Sequence, residues 1–195
     1  FVAELIPAKP IGILFITSLR DIALKEYNGQ FLNIDGEDHY IKGVIENTLE
    51  EVKTGGILEG LIEVKGVIVD DMETDLKGKF PLLPTNNSSW IFPTALLSED
   101  RIWNIPSSFR KLKISDTEGR RKAKHDFERR VLAKAQEIGA DVIISDSYMA
   151  RIDHLHSFRS MLGKVLNIHP GPTLLDSQFC FRGSDPIRDA ILFAK

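Results

Sequence analysis

The sequence predicts an α/β fold: a mainly parallel sheet with helices on both faces. Three observations carry that expectation. Short apolar runs rich in β-branched residues recur at 11–17, 61–69, 141–145 and 164–169. Between them lie segments whose apolar residues fall three or four apart, the spacing of one helical face. Each run is apolar along its length instead of alternating, as expected of strands covered on both sides.

The elements follow in order. Ile11–Thr17, after Pro7 and Pro10, is the first buried strand, and it exits through Ser18-Leu19-Arg20-Asp21. A short helix is expected to end near Asn28-Gly29. Asp35, Glu37 and Asp38 then precede Ile41, Val44, Ile45, Leu49 and Val52, whose spacing predicts a helix stopped at Gly55-Gly56. The 61–69 run is a second strand, ending at Asp70-Asp71. Residues 72–113 break the rhythm with Pro81, Pro84, Pro93, Pro106, Trp90 and Trp103, and are expected to form a partly ordered insertion packed through its aromatics. Ser115-Asp116-Thr117-Glu118 fits a capping box. The helix after it places Phe127, Val131, Leu132, Ala135 and Ile138 on one side and ends at Gly139. A third strand at 141–145, a short helical segment near 154–161, a fourth strand at 164–169 and a last helix from Asp185-Pro186 complete the pattern. The expected organisation is one domain over 1–195.

Composition narrows the function classes. The chain has 195 residues, 43% of them hydrophobic, a formal charge of −3 and a single cysteine, Cys180. That length supports one substantial core. The charge lacks the basic excess of a general nucleic-acid backbone binder. One cysteine excludes a disulfide framework or a cysteine-cluster metal site within these residues. The early apolar run is too short to span a bilayer, and no signal peptide is visible. His154 and His156 lack a third ligand at a recognised spacing, so no metal is expected. The basic residues Arg120, Arg121, Lys122, Lys124, Arg129 and Arg130 are expected to be a solvated helix face. A cytoplasmic protein with small-molecule partners, and neither membrane nor nucleic acid, is the expectation.

In open α/β sheets, ligands gather at the carboxyl ends of the strands. Asn167 and His169, two apart at the last strand exit, should project to one face. An amide there can donate to a developing oxyanion, and an imidazole can move a proton near neutral pH. Pro170-Gly171-Pro172 ends the strand sharply. Spacing alone leaves open a strand-end histidine that merely bonds a nearby loop.

Val165-Leu166-Asn167-Ile168-His169-Pro170 resembles the central motif of the folate-dependent formyltransferases, a family that includes the glycinamide ribonucleotide and methionyl-tRNA enzymes. The order of 141–145, Tyr148-Met149-Ala150-Arg151-Ile152, 163–170 and the helix from Asp185 is also similar. The resemblance implies a Rossmann-like fold and formyl transfer from 10-formyltetrahydrofolate to an amine. It implies that Asn167 and His169 are catalytic, and that Tyr148, Met149, Ala150, Arg151 and Ile152 line the folate site largely through backbone. The family's catalytic aspartate, well downstream of the histidine, is not matched; Asp176 and Asp185 fit that order poorly. The chain is therefore expected to be incomplete at its C-terminal side, and Phe1 suggests the same at the other end.

The acceptor end departs from the purine-pathway enzyme. Thr17-Ser18-Leu19-Arg20-Asp21 lacks the glycine-rich turn that cradles a phosphate there. Arg20 and Asp21, with Gln30, suit a zwitterionic, amino-acid-like acceptor, Arg for a carboxylate and Asp for an ammonium. With the 72–113 segment, this is similar to the N5-hydroxyornithine formyltransferases of siderophore biosynthesis. Glycinamide ribonucleotide, an amino sugar nucleotide, methionyl-tRNA and a non-catalytic folate-binding role stay as alternatives.

Overall fold

The computed structural model describes residues 9–18, 30–34, 36–70, 96–146, 148, 152, 154–155 and 159–168. Seven strands and two α-helices are described: β1 (Ile11–Thr17), β2 (Gln30–Ile34), β3 (Glu37–Ile41), α1 (Val44–Glu51), β4 (Ile62–Val69), β5 (Ile102–Asn104), α2 (Thr117–Glu137), β6 (Val142–Ser145) and β7 (Val165–Asn167). Five of the strands form one sheet in the order β5-β4-β1-β6-β7, and every neighbouring pair is parallel. From β1 the chain builds outward to β4 and β5, then returns through α2 to β6 on the other side. The order therefore reverses between β1 and β6, which is where such sheets open a crevice.

Two apolar clusters explain the layers. Leu14, Ile16, Ile68 and Ile143 face one way and meet Phe127, Val131, Leu132 and Ala135 of α2. Ile13, Phe15, Val64, Val67 and Val69 face the other way and meet Ile45 and Leu49 of α1. Helices thus cover both faces, and the continuously apolar strands are explained by burial on both sides. Each such side chain, fully buried, contributes about 1.5–3 kcal/mol.

Local signals place most boundaries. Gly139, at φ 66°, follows the α2 C-cap Ile138 in a conformation that favours glycine. The N-cap is Asp116, whose Oδ1 accepts from the Gly119 N–H at 2.9 Å. The cap is one residue later than the capping box centred on Ser115 would have it. Glu118 pairs with Arg121 instead of reaching back to the cap. At the start of β6, the Asp141 carboxylate accepts from the Gly12 N–H at 2.9 Å, which holds its pKa below the usual value and ties β6 to β1.

Two further expectations are revised. The helix expected from Ile41 begins at Val44, because Ile41 belongs to β3. β2 and β3 form an antiparallel hairpin, with Gly36 at φ 92° just before β3. The second half of the 72–113 segment is built into the fold: β5 pairs with β4, while Ile105 and Phe109 enter the α2-side core. The helices expected near 21–28 and from Asp185 lie outside the described residues.

β4 carries an irregularity where Ile13 pairs with Val64 but Leu14 pairs with Gly66. A Cβ on Gly66 would lie 2.3 Å from the Trp103 ring and 2.5 Å from the Arg101 carbonyl oxygen. Lys134 Nζ also lies over that ring, 4.9 Å from its centroid. Gly66→Ala is therefore expected to destabilise the protein by about 1–3 kcal/mol, the usual cost of overpacking. Urea denaturation measures this, and an unchanged midpoint would contradict so close an approach of β4 and β5.

Candidate active site

The carboxyl ends of the strands converge on a polar row. Ile16 pairs with Ser145, and Ser145 with Asn167, across β1, β6 and β7. Alternation puts Ser145 on the face of Ile143 and Asp70 on the face of Ile68, the α2 side. Ser18 and Ser145 are buried, and neither hydroxyl oxygen has a hydrogen-bond partner among the described residues. Asn167 closes the row and is exposed. The Ile168 N–H donates to the Ser145 carbonyl at 2.8 Å, so pairing runs one residue past β7. This geometry offers an amide able to donate at the open rim, with hydroxyls behind it.

Beside the row lies a buried ion pair. Asp70 is fully buried at the end of β4, and Arg110 Nη2 lies 2.9 Å from its Oδ2. The two groups are close but not aligned as a hydrogen bond, so their attraction rests on charge. Ser107 closes the loop over this strand end: its N–H donates to the Asp70 carbonyl at 3.0 Å and its hydroxyl to the same oxygen at 3.2 Å. The Arg110 guanidinium sits 5.2 Å from the Tyr148 ring centroid. The Tyr148 ring stacks on Phe127 with centroids 5.7 Å apart. Burial pushes the Tyr148 phenol above its ordinary pKa; Asp70 raises it further, and Arg110 opposes the shift. This phenol stays protonated near neutral pH and cannot act there as a base.

The expected site residues are distributed as follows. Asn167 is at the strand tip. Tyr148 turns its side chain into the core, leaving its backbone as the part able to meet a ligand, and Ile152 packs against the same core. Gln30 begins β2 and pairs with Ile41 in the hairpin, apart from the large sheet. Arg20, Asp21, Met149, Ala150, Arg151 and His169 lie outside the described residues. His156 does too, and among the described residues no group of three or more His, Cys, Asp or Glu could hold a metal. None of the described helices is long and apolar enough to cross a membrane.

The basic cluster is committed largely to structure. Arg120 donates to the carbonyls of Phe109 and Leu112, each at 2.9 Å. Arg130 donates to the Pro106 carbonyl at 3.0 Å, while Arg121 and Arg129 pair with Glu118 and Asp126. Sequence reasoning missed Arg110 and Glu128. Glu128 is fully buried in α2 and accepts from the backbone N–H groups of His154 and Leu155. A signal existed for it: Glu128 stands three residues before Val131 and seven before Ala135, on the face that should be apolar.

Neither a protein-family model nor a curated protein matches the chain. Solved structures do. The chain resembles the folate-dependent formyltransferases, a family of enzymes, as its Asn167-x-His169-Pro170 motif implies. PvdF of pyoverdin biosynthesis, described as a structurally unique N10-formyltetrahydrofolate-dependent formyltransferase, is similar over 94% of this chain and 72% of its own, with 28% identity and a TM-score of 0.74. A formyltetrahydrofolate deformylase from Pseudomonas putida KT2440 matches at 19% identity and a TM-score of 0.47, over 96% of this chain and 46% of its own. Phosphoribosylglycinamide formyltransferase from Anaplasma phagocytophilum matches at 13% and 0.45, over 96% and 60%.

Proposed function

We propose that the protein transfers a formyl group from 10-formyltetrahydrofolate to an amine or hydroxylamine nitrogen, and that its acceptor is N5-hydroxyornithine. The observation that carries the reading is the exposed Asn167 amide at the carboxyl edge of a sheet similar to that of PvdF. The described residues fit such a co-substrate. The open rim beside β7 presents a hydrogen-bond donor, and at neighbouring strand ends the buried Ser18 and Ser145 hydroxyls have no partner among the described residues.

When bound, the co-substrate supplies an activated formyl carbon. Asn167 donates a hydrogen bond to the oxygen that becomes negative as the acceptor nitrogen adds to that carbon. A hydrogen bond formed only as charge develops lowers the barrier instead of tightening ground-state binding. His169 accepts the proton that the acceptor nitrogen loses and returns one to the departing folate nitrogen, N10, so that protons balance. Tyr148 through Ile152 hold the folate by main-chain groups. Arg20 and Asp21, with Gln30, hold the carboxylate and ammonium of the acceptor. The reaction belongs to the cytoplasm in this reading, which the lone cysteine supports.

The test is a panel of acceptors offered with 10-formyltetrahydrofolate. N5-hydroxyornithine should be formylated and glycinamide ribonucleotide should not. Formylation of glycinamide ribonucleotide or an amino sugar nucleotide would reassign the acceptor. Release of formate without transfer to any amine would replace the transferase reading by hydrolysis.

A further inference from the structure

Glu128 is a fully buried carboxylate on the core side of α2. Burying such a group is costly unless it is well hydrogen-bonded. Its Oε2 accepts from two successive backbone N–H groups, those of His154 at 2.6 Å and Leu155 at 2.8 Å. Such charge-assisted bonds are the strong kind. The neighbouring residue, Phe127, stacks on Tyr148. One turn of α2 therefore fastens both ends of the stretch that follows β6, at Tyr148 and at His154–Leu155. Ile152 and Leu155 pack into the same cluster.

We propose that Glu128 is a positioning residue for the folate co-substrate, fixing the main chain at His154–Leu155, directly after the residues that the functional reading assigns to the folate. This rests on the formyl-transfer reading above. A ligand read by backbone needs that backbone immobile, since a displacement of about 1 Å can cost about a hundredfold. A side chain gripping two N–H groups supplies that rigidity without touching the ligand.

The test uses Glu128→Gln and Glu128→Ala in the full chain. Three quantities are read: amide hydrogen exchange at His154 and Leu155, tetrahydrofolate affinity by titration calorimetry, and the KM of each substrate. For Glu128→Ala, exchange at both amides should accelerate at least about tenfold and tetrahydrofolate affinity should fall by about 10–100-fold. The KM for 10-formyltetrahydrofolate should rise in step, while the acceptor KM stays within about twofold. Glu128→Gln keeps an accepting oxygen and should fall between the wild type and the alanine variant. It also carries the test if the alanine variant does not fold. Unchanged folate affinity in Glu128→Gln despite faster exchange would overturn the proposal, as would equal loss for both substrates. If the wild type transfers formyl groups and the variants match it, only this inference falls. A wild type that neither binds tetrahydrofolate nor transfers a formyl group removes the functional reading, and this inference with it.

Discussion

Asn167→Ala is expected to lower kcat for formyl transfer by about 10²–10³-fold, the usual loss on removing one oxyanion donor. Its thermal midpoint should stay where it is. Asn167 is exposed at the end of β7, so truncation opens no core cavity and strands no buried group. On the proposed oxyanion role the amide's bond strengthens only as charge develops, so kcat and kcat/KM should fall together while KM for either substrate changes little. His169→Ala, on the proposed proton-transfer role, should lose activity comparably. Steady-state kinetics on purified variants checks both, and near-wild-type turnover in either would contradict the assigned role.

The largest stability effect is expected at the ion pair under the strand ends. Arg110→Met should cost about 3–5 kcal/mol, because it leaves the Asp70 carboxylate buried without its counter-charge. Asp70 is fully buried and the Arg110 side chain is 10% exposed, so solvent screens the pair poorly. Replacing both partners, Asp70→Asn with Arg110→Met, should recover much of that loss, since desolvating the two charges consumes most of what their attraction contributes. Urea denaturation of both single variants and the double variant gives the coupling. A single-variant loss below about 1 kcal/mol would mean that water screens the pair as it does a surface one.

The large sheet was legible because its determinants are local. β-branched runs ending in Ser18, Asp70 and Asp146 announce strands and their exits within a few residues, and β1, β4 and β6 fall within a residue of where those runs place them. The hairpin was hidden by composition. Glu37, Asp38 and His39 do not look like strand residues, although Asp35-Gly36 is a turn signal in its own right. Asn167 could be found from its place at a strand exit. The Asp70–Arg110 pair could not, because forty positions separate its members and nothing local marks them as partners. Glu128 lay between these extremes, visible as a charge on an apolar face but silent about what it holds.

What α2 grips on its own face of the sheet is main chain. Arg120 and Arg130 hold the carbonyl oxygens of Pro106, Phe109 and Leu112, and Glu128 holds the amides of His154 and Leu155. A clasp that recognises peptide groups is indifferent to the side chains hung from them. The flanking loops can thus exchange their outward residues while the frame that aims the strand tips stays unchanged.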